Sequence, residues 1–95
     1  MNRFDELKES FCETTFKFVH TELDLAITFC EVAQSTHDPQ RYHKNLEHAQ
    51  KAYLSAKQFL RGPLSAFGTT DELTAKMRRA KSLIERVRNR SIASP

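Results

Sequence analysis

From Met1 to Asp38 the chain contains neither glycine nor proline, and its full 95 residues hold only two glycines and three prolines. These residues break helices and shape tight turns, so their distribution marks where the backbone can change direction. The breaks fall in two places, at Asp38-Pro39 and across Gly62-Pro63 to Gly68, after which nothing interrupts the chain until Pro95. Three helical segments result. The pattern predicts an all-α fold, a three-helix up-down-up bundle with a long first helix, occupying residues 1–90 as a single domain with 91–95 as a frayed tail.

Local chemistry places the ends. Asp38 offers a side-chain cap for the free N–H groups of the second helix, and Pro39 stands at the first helical position, where its missing N–H costs nothing. That helix is expected to stop at Arg61, with Gly62 as a left-handed residue after its last turn and Pro63 preventing continuation. Thr69 and Glu72 have capping-box spacing, which starts the third helix, expected to run to about Arg90.

Apolar spacing assigns the faces. In the second helix Tyr42, Leu46, Ala49, Tyr53, Ala56 and Leu60 alternate steps of four and three, the seam of a packed helix pair. In the third, Leu73, Met77, Ala80, Ile84 and Val87 do the same, with Leu83 widening the stripe. The first helix differs. Between Leu23 and Ala33 only Asp24, Thr28 and Glu31 are polar, and they lie in one line, so this stretch is expected to be the central element touched by both other helices. The same line runs back through Glu13, Lys17 and His20 or Thr21.

A helix from about Arg3 to Gln34 is roughly 48 Å long, against roughly 34 Å and 30 Å for the others at 1.5 Å per residue. The first helix therefore overhangs its partners. Phe4, Leu7, Phe11 and Phe18 sit on this overhang, and leaving such side chains in water forgoes about 1.5–3 kcal/mol each. Either a second copy of the chain covers them, or a kink near His20-Thr21 folds the first turns back as a fourth helix. Kinks usually have a glycine or proline as their cause, and its absence here favours the straight helix and the dimer.

Composition bounds the remaining possibilities. At 11.0 kDa the chain buries about 65% of its unfolded surface, enough for one modest core and no second domain. Two glycines leave no phosphate-cradling loop or dinucleotide fingerprint. The opening residues lack the apolar stretch of a secretory signal, and no window approaches the roughly 20 apolar residues that span a bilayer. A soluble, cytoplasmic protein is expected. Cys12 and Cys30, 18 residues apart on one helix, stand about 27 Å from each other, too far for a disulfide. They read as small buried apolar side chains.

Net charge divides along the chain. Residues 1–37 carry three cations against seven carboxylates, whereas 38–62 and 63–95 have net charges of +3 and +4. An acidic first helix facing two basic ones suits a self-complementary bundle.

The run Ala49-x3-Tyr53-x2-Ala56 followed by Pro63 resembles the second helix of a tetratricopeptide repeat, whose small residues let paired helices approach closely. It covers about 15 residues; the first-helix pattern of Trp, Leu, Gly and Tyr and a second repeat are both missing. The wider stretch Asp38-Pro39, Arg41, Asn45, Ala49, Ala52 and Tyr53, preceded by Leu23-Asp24-Leu25-Ala26 and Phe29-Cys30-Glu31-Val32-Ala33, resembles a group of short helical bacterial proteins without an assigned function. That resemblance implies a fold and a bacterial cytosol, and no activity.

Catalytic signals are thin. Neither cysteine has a histidine three or four residues away, so a Cys–His pair would require contact between helices. His43 and Glu47, with His48 or His37 nearby, have metal-ligand spacing but lack a second histidine-bearing helix, and they read as a solvated face. No enzyme activity, cofactor, metal or small-molecule substrate is expected. The expected role is protein–protein association, chiefly with itself or with another helical protein, through Phe4, Leu7, Phe11 and Phe18. The alternative is a nucleic-acid-binding accessory protein using Lys76, Arg79, Arg86 and Arg90, which fall within about 80° on one flank of the third helix. Arg78, Lys81 and Arg88 lie on the other flank.

Overall fold

The computed structural model describes residues 3–62 and 70–93, with side-chain environments for Phe11, for 13–62 and for 70–90. It contains three helices, α1 (Arg3–Ser35), α2 (Pro39–Arg61) and α3 (Asp71–Ala93), and no strand among the described residues. Phe18 meets Phe59 and Phe29 meets His48, so α1 and α2 are antiparallel. Asp24 meets Lys76 and Gln34 meets Arg90, so α3 runs parallel to α1. The expected up-down-up bundle is the result.

α1 is unbroken from Arg3 to Ser35. The four-helix alternative is thereby corrected: no kink occurs at His20-Thr21. The hydroxyls of Thr15 and Thr21 donate to the carbonyls of Phe11 and Lys17 one turn back, at 2.7 and 3.0 Å, which satisfies them without opening the helix. At 33 residues α1 is about 50 Å long, and its first turns run past Arg61 of α2 and Asp71 of α3.

The helix starts are set by side chains. Asp38 accepts from the N–H of Gln40 at 3.0 Å and Pro39 follows, as expected. The start of α3 differs by one residue from the Thr69–Glu72 reading. Thr70 accepts from the N–H of Leu73 at 3.1 Å, which makes Thr70 the cap and puts Asp71 and Glu72 in the first turn, where carboxylates complement the helix dipole. Thr69 itself lies outside the described residues. α3 also continues beyond Arg90 to Ala93, three residues past its expected end.

The end of α2 corrects a second expectation. Gly62 has φ −99° and ψ −101° and is not left-handed. Its N–H closes a last helical bond to the carbonyl of Gln58 at 2.9 Å, and a Cβ at this position would sit 3.1 Å from that oxygen. Close approach is what glycine supplies here, in place of a positive φ.

Two adjoining clusters make the core. One holds Val19, Leu23, Ala26, Ile27, Ala52, Ala56, Leu73 and Ala80; the other holds Cys30, Ala33, Ala49, Ile84 and Val87. Tyr53 borders both. Alanines on all three helices allow close packing, and α1 packs most extensively against α2, less against α3, while α2 and α3 touch least. The hydroxyl of Tyr42 donates to the carbonyl of Val87 and ties the first turns of α2 to α3. No buried side-chain nitrogen or oxygen is left without a partner among the described residues.

Candidate interaction surface

The buried positions of α1, including Thr15, Val19, Leu23, Ala26, Ile27, Cys30 and Ala33, fill a sector of about 120° at 100° per residue. Two neighbouring helices can cover little more than that. The sector beside α3 carries the predicted polar line, with Glu13, Lys17, Asp24, Thr28 and Glu31 all exposed. The sector on the α2 side carries apolar side chains in water: Phe11 is 53% exposed, Phe18 40%, Leu25 41% and Val32 40%. Apart from Leu54 on α2, these are the exposed large hydrophobics among the described residues.

Of the four expected association residues, Phe11 and Phe18 therefore share an exposed face. Phe18 leans on α2, its ring 5.0 Å from that of Phe59 in an edge-to-face arrangement, and stays partly open. The side chains of Phe4 and Leu7 lie outside the described ones. Leu25 and Val32 belong to the same face and were missed by sequence reasoning, which read the stretch 23–33, apart from its polar line, as the central element touched by both other helices. A signal was present. Phe4, Phe11, Phe18, Leu25 and Val32 recur every seven residues.

The basic flank of α3 turns out to be partly spent inside the bundle. Lys76 reaches the Asp24 carboxylate, with Nζ 3.1 Å from one oxygen and 3.3 Å from the other, and Arg90 donates through Nη1 to the carbonyl of Gln34. Both partners are on α1. Arg79 and Arg86 are exposed and form no ion pair with a described residue. The opposite flank lines a cleft of about 280 Å³ between α2 and α3, with Tyr53, Leu54 and Ile84 as its apolar wall and Lys81, Glu85 and Arg88 at its rim.

The residues with metal-ligand spacing make other contacts. Glu47 pairs with Lys51 at 3.1 Å, and the hydrogen bond and charge of Lys51 hold its carboxyl below the usual value. His48 stacks on Phe29 and His43 lies edge-on to Tyr42. No group of three potential ligands occurs among the described residues. Cys30 is a buried free thiol. Burial, and then the charge of Glu31 beside it, push its pKa up to about 11, so the sulfur stays protonated and a poor nucleophile near neutrality.

No helix among the described residues is long and apolar enough to cross a membrane. No protein-family model, no curated protein and no solved structure matches this chain.

Proposed function

We propose that this protein is a non-enzymatic helical association module of the bacterial cytoplasm that pairs with itself through the outer face of α1. The observation that carries the reading is the concentration of exposed large apolar side chains on one helix face, where Phe11, Phe18, Leu25 and Val32 stand together. Contiguous exposed apolar surface costs free energy in water and is characteristic of contact sites. The cytoplasmic placement is supported by two cysteines spaced too far apart along α1 to pair. The resemblance to short bacterial helical proteins supports the source. A phosphate-binding role for α3 has less behind it, because Lys76 and Arg90 already serve α1 and leave Arg79 and Arg86.

Light scattering tests the proposal. Because the association is hydrophobic, the mass in solution should be twice that of the chain and should persist at about 1 M salt, where the Debye length is about 3 Å. The double variant Phe4→Ser, Phe11→Ser should halve that mass and keep the helical circular dichroism. A parent chain that is monomeric at high concentration ends the proposal. A double variant that unfolds shows instead that these rings belong to the chain's own core.

A further inference from the structure

α1 packs against both other helices, whereas α2 and α3 touch each other least. The cleft of about 280 Å³ between α2 and α3 therefore opens on the side of the bundle turned away from α1. Tyr53 and Ile84 reach it from the core, and Leu54 beside them is the large hydrophobic that α2 leaves in water.

Charge sets this cleft apart from the outer face of α1. Lys81 and Arg88 stand at its α3 edge, seven residues apart, and Lys57 follows Tyr53 and Leu54 by one turn along α2. None of these three cations forms an ion pair with a described residue. Glu85 is the one carboxylate among the residues lining the cleft, and Glu47, next round α2 from Leu54, is already held by Lys51. The imbalance follows from the division of charge along the chain. Residues 1–37 hold seven of the twelve carboxylates, so a cation turned toward α1, such as Lys76, finds a partner there. Cations turned away from α1 face only Glu85.

We propose that this cleft is the docking site for an amphipathic helix of another protein, laid lengthwise between α2 and α3 with its apolar stripe on Tyr53, Leu54 and Ile84 and carboxylates along its flanks. Shape and charge select this occupant. An apolar groove between two antiparallel helices is the seat that a fourth helix fills in a four-helix bundle, and apolar helix faces are recognised in such grooves. Three cations against one carboxylate attract an acidic helix and repel a basic one. A phosphate backbone would meet the same cations but would leave the apolar wall in water. The cleft shares no residue with the self-association face, so either reading stands without the other.

Titration of the full chain with a helical peptide of three heptads, leucine at a and d and glutamate at e and g, tests the proposal; the peptide's own glutamates oppose its self-pairing. Amide NMR of the isotope-labelled chain is expected to show shifts grouped at Gln50, Tyr53, Leu54, Lys81, Ile84 and Arg88. The same peptide with lysine in place of glutamate should bind at least about tenfold more weakly at low salt. Lys81→Glu combined with Arg88→Glu, both at exposed positions, should weaken the glutamate peptide at least about tenfold while leaving the melting temperature and the self-associated mass unchanged. No binding by about 1 mM peptide, equal binding of the two peptides, or shifts centred on Phe11, Phe18, Leu25 and Val32 overturns the proposal. So does a halved mass for the double variant, which makes the cleft a contact between copies. Displacement of the peptide by an equal concentration of a thymidine oligonucleotide also overturns it and assigns the cations to nucleic acid.

Discussion

Ala49 tests the packing of the helices most sharply. It is fully buried on α2, in a cluster with Cys30 and Ala33 of α1 and Ile84 and Val87 of α3, and Tyr42, Leu46 and Tyr53 pack around that cluster. Ala49→Leu adds three carbons where three helices converge. Helical side chains lean toward the preceding turn, so the new isobutyl group would be driven into the space held by Leu46 and Ala33. If that space is filled, overpacking costs about 1–3 kcal/mol. In a chain of this length about 2 kcal/mol corresponds to a melting-temperature drop of about 8–16 °C. If the space were empty the sign would reverse, because three extra buried methylene groups would contribute about 2.4 kcal/mol of stabilisation. Thermal unfolding followed by circular dichroism at fixed protein concentration reads the difference, with Gln58→Leu on the exposed side of the same helix as control, expected within about 0.5 kcal/mol of the parent. An unchanged melting temperature for Ala49→Leu would refute the helix register, and a raised one would refute the close packing of the three helices at this point.

Tyr42→Phe removes the hydroxyl that donates to the Val87 carbonyl and should cost about 0.5–1.5 kcal/mol in urea unfolding with no change in slope. Cys30 should resist iodoacetamide at pH 8 in the folded protein and react promptly once denaturant is added. Its pH effect follows from the same burial: the thiol ionises near 9 when unfolded and near 11 when folded, so the unfolded state binds fewer protons between these values. The Cys30 contribution to stability is therefore complete below about pH 9 and is lost as pH rises toward about 11, a loss that Cys30→Ala should abolish.

Much of this fold is readable from the chain because its determinants are local. The gap in glycine and proline before Pro39, the Asp38-Pro39 start and the four-and-three stepping in α2 and α3 each depend on residues within one or two turns of one another. The structure accordingly reproduces the α2 start and the buried faces of Ala49, Ala56, Leu73, Ala80, Ile84 and Val87. Local readings failed where two neighbouring residues could do the same work, as with Thr69 and Thr70 at the start of α3, and where glycine had two reasons to be present, as at Gly62.

What tertiary structure alone decided was which apolar residues would be left outside. From sequence the stretch 23–33 is apolar on most sides and suits a helix enclosed by its neighbours, yet a bundle of three helices gives α1 only two neighbours and covers about a third of its circumference. Leu25 and Val32 fall about 80° and 100° beyond that sector and join Phe11 and Phe18 on the surface. The fate of the α3 cations was set in the same way. Lys76 and Arg90 look like an available flank along their own helix, but the parallel course of α3 brings them level with Asp24 and Gln34 of α1. Periodicity shows that a face exists; the number and direction of the helices packed against it decide whether that face is core, ion pair or surface.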